Sequence, residues 1–381
     1  MRVRLVLCGI LTAVAAWTAH ADTTPSYLSR VRAVIADARG DIPAMQAVVE
    51  TAAKHLADGG QLYAAGQPSM ISELNGRAGG FGRLLWWRDQ PLGEKDVILY
   101  FDDGVTPFPD AILESMAYVV YFGAADHPRA SASFNNHAAK HAVSPTLANA
   151  IPGWIFTGEL FAALTRLGKV PAMLESIGAY NSSTRNAPLQ AGPSLFHDGR
   201  ESTAVHPGAL GNQYCETIDE LLKRVELDHA DRLRRAAKWA RESIAGGGKV
   251  YCYSMGHLFP DEISNTAIGK VFISEVYNAG FRESPVPSAM FEPRDTIIHI
   301  GYQHPPQPLI DRASAAGSAI VYFSLYADRD HLDDINVLWI DSYWPWTDAC
   351  VSVPGYEVPL LPASGIVNGA LAWELFELAT N

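Results

Sequence analysis

A pattern of strand, loop and helix occurs twice along this chain of 381 residues. The first copy, at residues 60–123, contains GQLYAAGQPSMISELNGRAGG, DVILYFDDGVTPFPDAILESM and YVVYFG. The second copy, at residues 248–324, contains GKVYCYSMGHLFPDEISNTAIG, DTIIHIGYQHPPQPLIDRASAAG and AIVYFS. Internal repetition decides the architecture, and here the period is the length of a domain rather than of a solenoid repeat. The chain is therefore predicted to contain two related α/β units.

The strands of each copy are continuous apolar runs, separated by stretches with helical spacing. Residues 62–65, 97–101 and 118–122 are such runs in the first copy. Runs of this kind indicate strands that are buried on both faces, as in a parallel sheet covered by helices. We therefore predict an α/β fold of two flavodoxin-type, three-layer αβα domains, 22–205 and 206–381, each with a mainly parallel sheet and paired with pseudo-symmetry.

Three details of the helices and strands also follow from the sequence. Asp41 and Pro43 suit the cap and first turn of a second helix, separate from the helical stripe that precedes them. The long helical region of the second half is predicted to break near Asp228. The last strand of the second copy is predicted at residues 336–340.

The first 21 residues have the layout of an export signal. Arg2 and Arg4 precede an apolar stretch, and Ala19-His20-Ala21 matches a small-x-small cleavage site. The apolar stretch is shorter than the ~20 residues that a membrane span needs. We expect an exported protein, periplasmic or secreted, with no membrane span after signal cleavage; a buried N-terminal helix is the alternative interpretation.

The charge balance argues against a nucleic-acid partner. The formal net charge is −12, and the leader contains two of the 29 basic residues and none of the 41 acidic ones, so the mature chain carries −14. Nucleic-acid affinity comes from neutralising phosphates with Lys and Arg. The cysteines of the mature chain, Cys215, Cys252 and Cys350, are odd in number and far apart, which predicts no disulfide framework.

No motif in the sequence predicts a metal or a cofactor. His137 and His141 have the spacing of helical metal ligands, but they lack the Glu of an HExxH motif. The chain contains no Walker loop, no GxGxxG after a strand and no GxSxG elbow. We therefore expect neither a bound metal nor a nucleotide or flavin cofactor.

The loops at the carboxyl ends of the strands are where an open parallel sheet binds ligands. In the first such loop Ser69 can donate a hydrogen bond, and Glu73, one helical turn later, can carry a proton. Arg77 follows Glu73 by four residues, so these two can instead form an ordinary pair on a helix surface. Asp103 and Thr106 come after the second strand and are either substrate ligands or turn-forming residues.

The second copy offers Ser254, His257 and Glu262 within the loop SMGHLFPDE. Histidine is the side chain best suited to proton transfer near neutral pH, and His257 lies at the ligand-facing end of a strand. His304 occupies the matching second loop of this copy. These residues are candidates for proton transfer and for substrate binding.

The first strand, loop and helix resemble those of sugar isomerase (SIS) domains, in particular the phosphosugar-isomerase-like branch. The resemblance lies in Gly66, Ser69, Met70, Glu73 and Arg77-Ala78-Gly79-Gly80. Asp103-Gly104-Val105-Thr106 stands where the family has its Ser-Gly-x-Thr phosphate loop, and Ser254-Met255-Gly256-His257 repeats the Gly-His part in the second copy. The resemblance extends over nearly all of the mature chain as a tandem pair of SIS-like domains.

The resemblance implies chemistry on sugars. SIS domains bind phosphosugars, and some isomerise aldoses and ketoses with a Glu or His that moves the proton. It implies catalytic roles for Glu73, His257 and Glu262, while the substrate-binding positions are Ser69, Asp103, Thr106, Ser254 and His304. The phosphate loops depart from the family, since they read GQPS, DDGVT and GYQHPP in place of Ser- and Thr-rich cradles. We therefore expect the fold to be kept and phosphate recognition to be lost.

The leading hypothesis is an exported, sugar isomerase-like protein whose partner is a small carbohydrate derivative. A non-catalytic periplasmic carbohydrate-binding protein is the alternative, and a lyase or etherase that acts on a cell-wall sugar is a third hypothesis. A homodimer is one expectation, since members of the family commonly dimerise.

Overall fold

The structure is a computed structural model. It describes residues 25–179, 181–201, 203–254, 257–258, 263, 266–273, 275–278, 290–325 and 335–380.

The first sheet contains five parallel strands in the order β2-β1-β3-β4-β5. Their bounds are β1 Leu62–Gly66, β2 Leu85–Trp86, β3 Val97–Phe101, β4 Tyr118–Gly123 and β5 Ala132–Asn135.

The second sheet contains five parallel strands in the order β10-β9-β8-β6-β7. Their bounds are β6 Val250–Ser254, β7 Glu275–Asn278, β8 Thr296–Ile300, β9 Ala319–Ser324 and β10 Val337–Asp341. Read from its other edge, this order matches that of the first sheet, with β6 in the place of β1. The predicted repetition of one parallel α/β unit is confirmed.

Helices cover both sheets. The described helices are α1 Tyr27–Ala57, α2 Pro68–Leu74, α3 Asp110–Leu113, α4 Ala138–His141, α5 Pro145–Arg166, α6 Ser182–Ala191, α7 Ala209–Ala245, α8 Ala267–Phe272, α9 Gln307–Ala316 and α10 Ser364–Thr380.

One hydrophobic core joins the two units. Alternate side chains of a strand point to opposite faces, and one face of each sheet packs against α1, α5, α7 and α10 in a single continuous cluster. The other faces form two smaller clusters, one under α3 and one under α9. Each sheet thus has helices on both faces, which confirms the predicted α/β class with two three-layer αβα units.

Helix α5 lies at the centre of this core. Within the described part of the chain it is the helix long and apolar enough to cross a membrane, and its apolar window is entirely buried inside the protein. The apolar composition of α5 therefore follows from its buried position between α1 and α7.

The N-terminal helical region is one helix, and the prediction of two was wrong. Pro43 lies inside α1, on its exposed face. The buried stripe continues through this point at helical spacing, with Ala38, Ile42 and Met45 all within 2% of full burial. Packing of that stripe outweighs the loss of one backbone hydrogen bond at proline.

The predicted break near Asp228 is absent as well, since α7 runs unbroken through it. Asp228 points outward and accepts a hydrogen bond from the Tyr343 hydroxyl at 3.0 Å. The apolar stripe passes from Val225 through His229 to Leu233, all of them buried. An aspartate on the outer face leaves such a stripe intact.

The last strand of the second copy, predicted at residues 336–340, is confirmed as β10 of the second sheet, one residue further along the chain. Two short strands follow β10, β11 at Ala349–Val351 and β12 at Leu360–Pro362, and they pair antiparallel. Each has three residues and β12 ends in proline, so neither resembles the long apolar runs of the main sheets.

The start of α7 is held by a buried carboxylate on α5. Glu159 is fully buried and accepts hydrogen bonds from the amides of Gly208 at 2.6 Å and Gly211 at 2.8 Å. These amides belong to the N-terminus of α7, where a negative charge is favourable. Gln46 of α1 donates to the same carboxylate at 3.0 Å, so this contact joins three helices of the shared core.

We predict that Glu159→Gln lowers the free energy of unfolding by about 2 kcal/mol, because it removes a charge that two buried amides need. Urea denaturation of the purified protein measures this. The control is Glu216→Gln on the exposed face of α7, where Glu216 contacts Arg39, and its effect should stay within about 0.5 kcal/mol. Equal losses in the two variants would contradict a role for the Glu159 charge.

Candidate functional site

The carboxyl ends of β6 and β8 open onto a cavity that elements of both units enclose. Its enclosed volume is about 20 Å³, the space of about one water molecule, within about 300 Å³ of empty space that includes the solvent at its mouth. The enclosed part is smaller than an ordinary small-molecule site, so a larger ligand would lie partly in the mouth. The described lining residues are Arg77, Ser254, His257, Leu258, Ile300, Gly301, Tyr302, Ser364, Gly365 and Asn368.

Arg77 lines this cavity and forms, with Glu73 and Asp348, a set of three buried charged side chains that we call the ion cluster; Glu73 and Asp348 are not among the described lining residues. Arg77 Nη2 lies 3.0 Å from Asp348 Oδ2, and Arg77 Nη1 lies 3.6 Å from Glu73 Oε2. All three side chains are at most 2% exposed. Because α2 ends at Leu74, Glu73 and Arg77 do not form the surface pair of one helix that their spacing allowed.

Arg77 is the cation that the two carboxylates share. Burial alone would lower the pKa of its guanidinium, but Glu73 and Asp348 outweigh that effect and raise the pKa above its ordinary value. Arg77 therefore stays charged. Its Nη2 also donates to Ser364 Oγ at 2.8 Å, while its Nε has no hydrogen-bond partner among the described residues.

Asp348 accepts hydrogen bonds on both of its carboxylate oxygens. Oδ2 receives Arg77 and also the Tyr302 hydroxyl at 2.5 Å, and Oδ1 receives the backbone amide of Ser364 at 2.9 Å. Asp348 has a left-handed φ of 63°, a conformation in which Asp is enriched among non-glycine residues. Burial and Asp348 together raise the pKa of Tyr302, so this hydroxyl remains a donor.

Glu73 lies behind the cavity wall rather than in it. It is fully buried, and Trp154 Nε1 donates to its Oε1 at 3.1 Å. Burial raises the pKa of Glu73, while Arg77 and Trp154 oppose the increase. A side chain at Gly365 would place its Cβ 2.2 Å from Glu73 Oε1, so only glycine lets the start of α10 approach this carboxylate.

His257 is a cavity-lining side chain in a strained backbone conformation. Its φ is 64°, and such strain at a residue beside a cavity is a pointer to function. Its Nδ1 lies 3.2 Å from the carbonyl oxygen of Ser72; because a carbonyl only accepts, Nδ1 carries the proton and Nε2 is the acceptor of this tautomer. Burial and the charge of Arg77 lower the pKa of His257 well below its ordinary value, so the imidazole is neutral at pH 7.

Ser254 presents a hydroxyl group whose hydrogen bonding is incomplete. It is fully buried at the end of β6, and its Oγ has no partner among the residues that the structure describes. Buried polar groups in native proteins are nearly always satisfied. A polar ligand in the cavity would supply the missing partner.

The structure brings together some of the predicted site residues. Ser254 and His257 line the cavity, and Glu73 lies directly behind its wall. Ser69 is buried in α2 and is not among the described lining residues. Glu262 lies outside the described residues.

The remaining predicted residues lie in other surroundings. Asp103 and Thr106 bond to each other: Asp103 Oδ1 accepts the Thr106 amide at 2.6 Å, and Oδ2 accepts the Thr106 hydroxyl at 2.8 Å. Together with the Val105 amide these contacts form a local turn, which is the alternative that the sequence left open. His304 is exposed and contacts the ring of Trp346 with a centroid distance of 5.0 Å.

Sequence reasoning missed much of the cavity wall. Arg77 stands in the sequence as a pairing partner of Glu73 and in the Arg-Ala-Gly-Gly run of the resemblance, and neither indicates its place in the wall. Tyr302 and Ser364, and their partner Asp348, had no motif of their own, because they come from two loops and the start of α10, which only the folded chain brings together.

The comparisons with known proteins agree with the fold. No family model matches this chain. An alignment of 198 residues, with 24% identity, relates 43% of the chain to 79% of the UPF0309 protein GK1441 of Geobacillus kaustophilus (strain HTA426). The C-terminal domain of glucosamine-fructose-6-phosphate aminotransferase from Francisella tularensis aligns with a TM-score of 0.53 and 10% identity, over 94% of this chain and 97% of that one. At this identity the likeness shows the fold alone, a tandem of two SIS-like αβα units, as the sequence predicted.

We predict that Arg77→Met lowers the free energy of unfolding by about 3–5 kcal/mol, because it leaves two buried carboxylates without their cation. Chemical denaturation measures the loss. The matched control is Arg39→Met, which breaks the exposed pair with Glu216 and should cost at most about 1 kcal/mol. A small loss in Arg77→Met would contradict the ion cluster.

We predict that Glu73→Gln changes the pH dependence of stability. Because burial raises the pKa of Glu73, the folded state binds its proton more tightly than the unfolded state does. The contribution of Glu73 to the free energy of unfolding is therefore greatest below its ordinary pKa of 4.5 and falls as the pH rises through the raised pKa. In urea titrations between pH 4 and pH 8, the free energy of unfolding of the variant should increase relative to that of the wild type as the pH rises. A constant difference, or one of opposite sign, would contradict the raised pKa.

Proposed function

We propose that this chain binds a small carbohydrate derivative in the cavity at the ends of β6 and β8 and moves a proton next to its carbonyl group, in the manner of a sugar isomerase. The observation that carries the proposal is the buried Ser254 hydroxyl, which lacks a partner among the described residues, in the same cavity as the neutral imidazole of His257. Sugar hydroxyl groups both donate and accept hydrogen bonds, so they suit both side chains.

His257 is the group to which we assign proton transfer. Its imidazole is held by the contact between Nδ1 and Ser72, which fixes the tautomer and leaves Nε2 as the basic nitrogen. A neutral imidazole can accept a proton from a ligand carbon or hydroxyl group. The loop that holds it comes directly after β6, where ligands bind in parallel α/β sheets.

Glu73 has a different part in this proposal. Because it is fully buried behind Gly365 and Arg77, we assign it to positioning the wall rather than to contact with the ligand. Tyr302 and Asn368 supply further polar groups around the cavity. Asn368 is itself held in place, since its amide donates to the Gly301 carbonyl at 3.1 Å and its oxygen accepts from Trp344 Nε1 at 3.3 Å.

The comparisons support the choice of ligand class. The name of the Francisella protein includes a sugar phosphate, fructose-6-phosphate, and that chain shares the tandem architecture described above. Carbohydrate derivatives are therefore the first compounds to test.

The binding experiment is a thermal-shift screen of the mature protein against neutral, acidic and phosphorylated sugars. We expect a saturable rise in melting temperature with at least one sugar class, and we expect Ser254→Ala to weaken that binding by about 10-fold, the effect of one hydrogen bond. A matched control is Ser115→Ala, at a site remote from the cavity on the loop after α3. If no sugar raises the melting temperature, the proposal is wrong.

The catalytic half of the proposal is tested with His257→Asn. Asparagine tolerates the left-handed φ of this position, so the loop conformation is kept while the imidazole is lost. We expect binding within about 10-fold of wild type, and exchange of the hydrogen next to the sugar carbonyl, followed by proton NMR in D₂O, to fall by about 10²-fold or more. The exposed His206→Asn variant should exchange at the wild-type rate.

A non-catalytic carbohydrate-binding protein is the second candidate, and the complete burial of Glu73 favours it. In that case the sugar that raises the melting temperature would show no exchange in the wild type. Sugar binding without exchange of the hydrogen next to the carbonyl would therefore reject the proposed proton transfer and retain the proposed carbohydrate binding.

We also propose that the protein is exported, on the grounds of its first 21 residues. Mass spectrometry of protein isolated from the periplasm or medium should find Asp22 at or near the N-terminus. A full-length chain confined to the cytoplasm would contradict export.

A further inference from the structure

Two features that attract anions face the cavity. One is the guanidinium of Arg77, and the other is the N-terminus of α10, where Ser364 and Gly365 line the cavity. A helix N-terminus carries partial positive charge and unsatisfied amides, and a guanidinium donates to planar oxyanions. Together they have the composition of a site for a phosphate or carboxylate group.

A side chain of the protein already satisfies both features. Asp348 accepts from Arg77 on Oδ2 and from the first amide of α10, that of Ser364, on Oδ1. The Tyr302 hydroxyl adds a third donor to the same carboxylate. A guanidinium, a helix amide and a hydroxyl group are the donors that a bound anion would use, and here they converge on the chain itself.

The backbone holds this carboxylate in place. The amide of Asp348 donates to the Pro345 carbonyl at 2.7 Å, and its carbonyl accepts from the Ala363 amide at 3.0 Å. Glu73 adds a second carboxylate, against Gly365 at the same end of α10. Around the ion cluster one cation is thus matched by two acidic side chains.

We infer that Asp348 is a specificity-determining residue: it occupies the position that the anionic group of a ligand would take, so that the cavity accepts neutral sugars and rejects phosphorylated ones. This inference rests on the proposed function for the identity of the ligand, but the occupied anion position is a property of the protein alone. A phosphate that approached Arg77 would meet two carboxylates and find Nη2 of Arg77, the Tyr302 hydroxyl and the Ser364 amide already bonded to Asp348. Repulsion built into a site is an effective way to exclude a competing ligand.

Removal of the carboxylate should turn the position into an anion site. Asp348→Gly suits the test, because glycine adopts a left-handed φ without strain and leaves an empty space beside Arg77, Tyr302 and Ser364. A small anion can fill that space. We therefore expect acetate or inorganic phosphate to restore part of the stability that Asp348→Gly loses.

The experiment measures melting temperature against acetate and phosphate concentration at constant ionic strength, with choline chloride as the balancing salt. We expect a saturable rise for Asp348→Gly, with anion binding at least about 10-fold tighter than in the wild type. The matched control is Asp89→Gly, which replaces an exposed aspartate with a φ of 60°; it should respond like the wild type. Adding Arg77→Met to Asp348→Gly should abolish the response.

A second variant covers the case in which Asp348→Gly does not fold. Asp348→Asn keeps the side-chain volume and tolerates the same φ, and with Glu73→Gln it leaves Arg77 without any acidic partner in the ion cluster. This double variant removes the repulsion but not the side chain, so it should bind phosphate more tightly than the wild type by a smaller factor than Asp348→Gly. A folded variant of either kind that shows no gain would overturn the inference.

The inference and the proposed function can fail separately. Saturable phosphate binding by the wild type that is lost in Arg77→Met would overturn the inference, even if sugars bind. A wild type that no sugar stabilises, beside an Asp348→Gly variant that anions do stabilise, would reject the carbohydrate proposal and keep the assignment of the anion position.

Discussion

The contact between Arg77 and Asp348 joins residues that are 271 positions apart in the chain, and the wall of the cavity depends on it. The Asp348 carboxylate also fixes the Tyr302 hydroxyl and the first amide of α10. Buried ion pairs contribute little net stability, because desolvation offsets much of their attraction. The value of this contact is therefore orientation: it sets where the loop after β8 and the start of α10 lie relative to the first unit.

The sequence predicted the sheets better than the helices that join them. The central strands of the first sheet, β1, β3 and β4, are continuous apolar runs, and their burial on both faces leaves a pattern that can be read directly. The edge strands β2, β5 and β7 contain no such run and were not predicted. Proline at position 43 and aspartate at position 228 are local signals of helix ends, but both side chains lie on outer faces, where the buried stripe beneath them is uninterrupted. Tertiary packing outweighed local preference at both positions. Strands β11 and β12 were too short to give any pattern.

The residues of the candidate site, too, could be predicted from the sequence only in part. Ser254 and His257 could be predicted because the carboxyl end of a strand is a fixed place in the fold, and both line the cavity. Asp348 could not, because its importance depends on a guanidinium and a helix start that are distant in the chain. Asp103 and Thr106 show a different case, since residues at a strand end can also bond to each other in a local turn.

The single core shared by both units limits how this protein can be divided. Helices α1 and α5 come from the first half and pack against α7 and α10 of the second. A fragment that ended at residue 205 would expose the apolar faces of α1 and α5 to water, and such surfaces promote aggregation. Although the chain repeats one architectural unit, neither copy is a module that recombination could move into another protein by itself. The two units therefore have to stay together in one chain.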